Sequence, residues 1–294
     1  MQQTEKIIRL GHTVVLTGRS AIGAYETGDG GVIIIDTGSG EDGLPLKEYL
    51  EDCRLHPLMI LNTHSHADHM YGNIGLTRKC GISAYSSAGE ARVAAEPQRQ
   101  YDCICGATPS PHMLEQLLPL FPVRLQDISQ LVLPEGFRIC SVPGHSVDDI
   151  AIRTPDGVWF LGDSLLSMHA LALCTLSYVT NFRKYRNSLR VIQGLEGELF
   201  VPGHGHPEEN GHMLAERNLA HLESLTEFLT EYCTAPRSIE ELIAFIMQRE
   251  GNDQLSRYLS LRTSLMTMLC FMEEQGVLRF FVDRGRLLWQ TNCF

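Results

Sequence analysis

HSHADH, residues 64–69, sets three imidazoles and a carboxylate within six positions: His64, His66, Asp68 and His69. Imidazole nitrogen and carboxylate oxygen are the donors that borderline and hard divalent ions take. The flanks say where such a cluster would sit. Leu58–Leu61 is a short apolar run that reads as a buried strand, and Gly72 follows the motif. The cluster is therefore expected on a loop leaving a strand end, where a rigid scaffold presents chemistry.

Working outward, three more donors stand in the same setting. PGHS (143–146) offers His145 after Phe137–Val142, GDS (162–164) offers Asp163 after Val158–Leu161, and PGHG (202–205) offers His204 after Leu199–Val201. Strand ends followed by glycine-containing turns let side chains from distant parts of a chain converge. A single histidine after a strand is more often structural; the repetition of the placement gives it weight. Asp36, in IIIDTG (33–38), ends a further strand and is placed to orient a metal-binding side chain from behind.

This ordered set of motifs resembles the metallo-β-lactamase-fold superfamily of hydrolases over roughly residues 7–210. The resemblance implies an α+β fold, a four-layer αββα sandwich with the site at one edge of the paired sheets. It implies that His64, His66 and His145 hold one metal, that Asp68, His69 and His204 hold a second, and that Asp163 bridges them. Asp68 and Asp163 are the carboxylates assigned to catalysis. The chemistry of the donors agrees, because seven N and O ligands are too many for one tetrahedral zinc and suit two ions sharing a carboxylate and a water. Zinc lowers the pKa of bound water to about 7, and a metal pair polarises a carbonyl or phosphoryl oxygen. Two divalent ions are expected, zinc first, with iron or manganese compatible with the same donors.

At 294 residues and 44% hydrophobic, the chain can build one large domain and a small one. A net charge of −11 argues against a general polyanion binder. The start, MQQTEKIIRL, lacks the apolar core of a signal peptide, and no run reaches the roughly 18 apolar residues of a membrane span. Nine cysteines, an odd number, are expected as reduced thiols of a cytoplasmic protein. Cys103 and Cys105 read as ordinary loop cysteines.

Residues 7–16, 20–26 and 31–36 read as strands, 43–53 and 86–96 as helices, and 58–62 as the strand feeding the motif. The proline-rich stretch 97–123 reads either as a lid over the site or as an irregular surface insertion. After Asp163, the apolar run 168–180 reads as pocket lining or as core, with His169 and Tyr178 as candidates to bind a substrate oxygen. RKYR (183–186) reads first as a solvated helix face, and otherwise as a site for an anionic group.

Residues 211–232 read as an amphipathic helix, and Pro236 marks a boundary. Ser238 and Glu241 form a capping box, a second helix runs through Leu261–Met272, and two strands flank DRGR (283–286). Helices followed by a hairpin resemble a small winged-helix domain, so the expected division is a catalytic domain at 1–232 and a winged-helix-like domain at 233–294. Metallo-β-lactamase-fold proteins of the β-lactamase-like-protein-2 type carry such an appendage, and the glyoxalase II group carries a helical one. Residues 235–294 hold seven Lys/Arg and seven Asp/Glu, so a structural or homodimerising role that reaches the pocket rim is preferred to nucleic-acid binding.

Aspartate rather than cysteine at the bridging position, and histidine at 66, set the chain apart from other branches of the superfamily. What remains resembles the glyoxalase II-like group. The leading expectation is a dinuclear hydrolase using metal-bound hydroxide on a small-molecule thioester, ester or lactone, with no membrane partner. Two others stay open: a metal-dependent phosphodiesterase or endoribonuclease, and a non-catalytic metal-bound regulator that binds DNA.

Overall fold

Seven strands in chain order make the first sheet: β1 (Lys6–Leu10), β2 (Thr13–Thr17), β3 (Ile22–Glu26), β4 (Gly31–Ile35), β5 (His56–Leu61), β6 (Ser83–Ser86) and β7 (Gln126–Asp127). The structure, a computed structural model, describes residues 6–39, 43–117 and 120–292. Pairing is antiparallel from β1 to β4 and parallel from β4 to β7. The second sheet contains β8 (Arg138–Ser141), β9 (Ile150–Arg153), β10 (Val158–Gly162) and β11 (Leu199–Pro202), in the order β11-β10-β9-β8. The helices are α1 (Gly43–Asp52), α2 (Ala67–Met70), α3 (Gly72–Cys80), α4 (Ala88–Ala95), α5 (Pro97–Cys105), α6 (Pro111–Leu114), α7 (Met168–Leu173), α8 (Phe182–Gln193), α9 (Gly211–Tyr232), α10 (Ile239–Glu250) and α11 (Leu255–Glu274). A hairpin, β12 (Leu278–Asp283) and β13 (Arg286–Thr291), follows.

Burial with a period of two sets the layers. In β4, Val32 and Ile34 join Leu46, Tyr49 and Leu50 of α1, while Ile33 and Ile35 meet Phe160 and Val201 of the second sheet. In β10, Val158 and Phe160 enter that inter-sheet core, and Trp159 and Leu161 face Leu189 of α8 and Leu214 of α9. Successive strand side chains point to opposite faces, so strands apolar on both faces require a further layer outside each sheet. The result is the expected αββα sandwich.

Several expectations are corrected. The stretch 7–16 is two strands, because Gly11 at φ +57° turns β1 back on β2. A glycine adopts that conformation without a Cβ clash. The stretch 97–123 contains α5 and α6, and α5 carries Cys103 and Cys105, which are therefore helical. Within 168–180, α7 buries none of its side chains, and Leu173 is 68% exposed, whereas Leu176 and Val179 beyond it are core. RKYR is not a solvated face throughout. Tyr185 is buried, and the guanidinium groups of Arg183 and Arg186 each lie 5.2 Å from the Phe271 ring, with Arg183 also paired to Glu274.

The C-terminal segment starts at the capping box. Ser238 Oγ accepts from Glu241 N at 3.3 Å, and Glu241 Oε2 accepts from Ser238 N at 2.8 Å. Leu242 and Ile246 of α10, and Leu265 and Met268 of α11, share one apolar cluster with α8 and α9. Among the described residues no helix is long and apolar enough to cross a membrane. The eight described cysteines are all unpaired.

Candidate metal centre

Asp36 clamps the motif from behind. It sits just past β4 at φ +54°, in the left-handed region that non-glycine residues seldom occupy, and the surrounding bonds hold it there. Its Oδ1 accepts from Thr63 N at 2.8 Å and Asn62 Nδ2 at 3.3 Å. Its Oδ2 accepts from Thr63 Oγ1 at 2.8 Å and is 3.0 Å from His69 Nδ1. One carboxylate thus fixes the chain leaving β5 and the ring of His69 in α2, at the two ends of HSHADH.

The other rings are oriented by the same device. His145 Nδ1 donates to the Tyr178 carbonyl at 2.8 Å, His204 Nδ1 to the Arg19 carbonyl at 2.5 Å, and His64 Nδ1 lies 3.0 Å from Thr63 Oγ1. A carbonyl can only accept, so Nδ1 carries a proton in both His145 and His204 and Nε2 is the nitrogen turned to the site. His66 presents Nδ1 instead, 3.1 Å from His64 Nε2 and 2.8 Å from His145 Nε2. Asp163 stands between the groups, with Oδ2 3.4 Å from both His145 Nε2 and His204 Nε2 and Oδ1 3.5 Å from His69 Nε2. Asp68 Oδ2 is 3.2 Å from His204 Nε2. All seven donors converge. They fall into two sets, His64, His66, His145 with Asp163 and Asp68, His69 with His204, each with its donor atoms within 4.8 Å of one another.

The donor set fits divalent cations. His69 Nε2 is buried and makes no well-formed hydrogen bond, standing 3.5 Å from Asp163 Oδ1 and 4.0 Å from Asp68 Oδ2, room that an ion between them would fill. Burial holds His145 down at about 4 and His64 well below the usual imidazole range, so both offer lone pairs at neutral pH. Burial also disfavours charge on His69, but Asp163 and Asp68 outweigh it and raise the ring to about 10. The Asp163 charge likewise lifts His204 well above its ordinary value, against burial. For Asp163 itself, burial would raise the carboxyl, yet His204, His69 and His145 hold it well below the carboxylate range. The second set therefore gathers positive charge around its carboxylates, the place a cation would take.

Residues 17–204 match the sequence model of the Metallo-beta-lactamase superfamily. The chain belongs to that superfamily. It is 29% identical over 194 residues to a hydroxyacylglutathione hydrolase of Cereibacter sphaeroides, a match covering 62% of this chain and 65% of that protein. The matched part thus spans less than two thirds of that relative's length. A hydroxyacylglutathione hydrolase of Pelagibacter ubique is 29% identical over 223 residues, covering 71% of this chain and 81% of its own. Among solved structures, a beta-lactamase domain protein from Burkholderia ambifaria superposes with a TM-score of 0.72 at 18% identity, over 99% of this chain and 95% of that one. A metallo-beta-lactamase family protein from Thermus thermophilus gives 0.69 at 21% identity, over 97% and 96%. At such identities the superpositions speak for the fold alone, and they extend through α10, α11 and the hairpin.

On this superfamily scaffold two cavity lobes flank the donors. One, of about 280 Å³, lies over His66 and Asp68 beneath α5 and α11; the other, of about 260 Å³, lies beside His204. A larger cavity of about 680 Å³ between α1 and α3 touches none of the seven, so convergent polar groups rather than volume locate the site. The Tyr178 ring stands 5.5 Å from His66 and 5.7 Å from His145 and lines both lobes. His169 is exposed on α7 and lines neither.

Two functional features escape the sequence reading. Glu90, wholly buried at the start of α4, accepts from Ser65 N at 2.9 Å, Ser146 Oγ at 2.7 Å and Asp148 N at 2.9 Å, tying the His64–His66 loop to that of His145. Within the sequence it looks like an ordinary N-terminal helix acid behind the Ser87 cap; no local signal marks it. The C-terminal segment is expected at the pocket rim, but the residues that reach the lobes, Ser256, Arg257 and Ser260 of α11, carry no mark in the sequence.

Proposed function

We propose that the chain is a dinuclear metal-dependent hydrolase of a small thioester, ester or lactone, with zinc the first candidate and iron or manganese compatible with the same donors. The observation that carries this reading is the pair of donor sets joined at Asp163 and open to two small lobes. His64, His66 and His145 would hold one ion, Asp68, His69 and His204 the other, with Asp163 shared. When bound, the ions supply Lewis acidity, to lower the pKa of a water and to polarise the scissile carbonyl. The chain's own contribution is positional. Asp36 and the carbonyls of Tyr178 and Arg19 hold the rings, Glu90 locks the loops, and the lobes seat the substrate.

The names of the curated relatives, hydroxyacylglutathione hydrolases, support acyl transfer to water. We further propose a catalytic unit at 1–232 and a winged-helix-like module at 233–294 whose α11 completes the pocket. A nucleic-acid role for that module is not favoured. The bases Arg183 and Arg186 are engaged on Phe271, and acidic residues outnumber basic ones by 35 to 24 in the whole chain. Sedimentation of the full chain tests whether the module pairs two copies.

The deciding experiment is elemental analysis of the purified chain together with turnover of a panel of thioesters, lactones, phosphodiesters and short RNAs, repeated for Asp163→Asn. Close to two ions per chain are expected, with ester or thioester hydrolysis lost by orders of magnitude in the variant while its far-UV spectrum is kept. Metal-free protein after reconstitution, or RNA cleavage exceeding ester cleavage, would reject the assignment.

A further inference from the structure

We propose that the substrate is uncharged, with an apolar acyl group held between α5 and α11, a specificity that rests on the hydrolytic reading above. The wall of the larger lobe facing the donors is Tyr101, Ile104, Leu117 and Leu120. Its polar groups are all uncharged: the Tyr101 hydroxyl already accepts from Leu120 N at 2.8 Å, and Gln100, whose buried Nε2 has no hydrogen-bond partner, and Ser256 also line the lobe. On α11, Ser260 Oγ is turned back to the Arg257 carbonyl at 2.9 Å. Such a wall rewards carbon and offers a charged acyl tail no counter-charge.

The second lobe contains a cation, Arg257, and a guanidinium beside an active site ordinarily recruits a carboxylate or phosphate. Here it is already committed. Nε and Nη2 donate to the two Glu250 oxygens at 2.7 and 2.6 Å, and Nη1 donates to the Leu176 carbonyl at 2.9 Å. The pair is desolvated, with side chains 14% and 11% exposed, so an incoming anion would have to displace Glu250 from a two-pronged contact. No other Lys or Arg is among the described residues lining either lobe. The two undescribed positions next to Leu117, Leu118 and Pro119, are uncharged. Arg19 approaches His204 through its carbonyl, and its side chain lines neither lobe. An anionic thiol such as glutathione therefore meets no free cation in these lobes.

In the reaction, water oxygen bonds to the acyl carbon and the acyl C–O or C–S bond breaks. One water proton goes to the departing oxygen or sulfur and the other to the carboxylic acid. Matched thioesters isolate the charge. S-hexanoyl-N-acetylcysteamine and S-hexanoylglutathione share an acyl group and differ in the thiol; S-glutaryl-N-acetylcysteamine adds a charge to the acyl end. With the metal-loaded full chain, kcat/KM for the neutral hexanoyl thioester should exceed that for either charged one by about tenfold or more, the scale on which pocket contacts discriminate. Ile104→Arg should narrow or invert the hexanoyl-to-glutaryl ratio, and Ile104→Ser, a milder change, should lower hexanoyl turnover alone. Ligand-observed NMR should detect N-methylhexanamide binding to the metal-free chain and its loss in Ile104→Arg. Equal or faster turnover of S-hexanoylglutathione, an unchanged ratio in folded Ile104→Arg, or no amide binding overturns the specificity and leaves the hydrolase reading intact. No turnover of any thioester or ester overturns both.

Discussion

A β-carbon at position 203 would lie 2.1 Å from Asp163 Oδ1 and 2.8 Å from His69 Cε1, closer than any side chain tolerates. Glycine there is what lets β11 deliver His204 while Asp163 stays between the two donor sets. Gly203→Ala should therefore push the Asp163 carboxylate aside. We expect a loss of roughly 1–3 kcal/mol, the usual cost of overpacking, and fewer than two ions per chain by elemental analysis. Two ions with an unchanged melt would show that the loop absorbs the methyl group. Asp36→Asn probes the clamp. Asparagine tolerates a left-handed backbone, so the turn survives, but its amide nitrogen cannot accept from His69 or Thr63. Metal affinity, read by competition with a chelator, should fall about 10–100-fold. Wild-type affinity in that variant would remove Asp36 from the support of the site.

At the scale of elements, the Glu250–Arg257 pair ties α10 to α11, and the same two side chains join them to the site-bearing layers, Glu250 accepting from Thr175 N at 3.1 Å and Arg257 Nη1 donating to the Leu176 carbonyl at 2.9 Å. Burial alone would raise the Glu250 carboxyl, but the Arg257 hydrogen bonds win and hold it below its ordinary value. A carboxyl depressed on folding stabilises the fold above its unfolded pKa, and that contribution fades as pH falls through the folded one. Glu250→Gln should melt lower at neutral pH, by about 3 kcal/mol if it behaves as a broken buried pair. The gap to wild type should then close below the usual glutamate range. A gap that persists unchanged into acid would trace the loss to packing rather than to the ion pair.

For the whole molecule, the cluster that binds α8 and α9 to the second sheet also contains Ile243, Ile246, Leu261 and Leu269. Cutting after Tyr232 would open Leu225 and Leu229 of α9, which are buried in that cluster. Differential scanning calorimetry of the full chain should show a single transition, as expected when two parts share one core. Two well-separated transitions would mean that 1–232 and 233–294 fold independently.

The seven donors were legible because each follows an apolar run and precedes or adjoins glycine, a local pattern that needs no knowledge of the rest of the chain. The layers were legible for a similar reason, since strands such as Gly31–Ile35 are apolar at every side chain and so must be covered on both faces. Orientation was not. His169 and Tyr178 were equal candidates, and the helical phase of α7 turned one to solvent while the turn after it left the other beside His66 and His145. The partners of Glu90 were also invisible, for they sit 25 to 58 positions away along the chain, as was the reach of Arg257 to the Leu176 carbonyl 81 positions back. A sequence determines which residues leave water and with what period. Which distant groups then meet depends on how the layers pack, and here packing carried Ser146 and Asp148 to Glu90 and chose Ser256, Arg257 and Ser260 as the side chains of α11 that line the lobes.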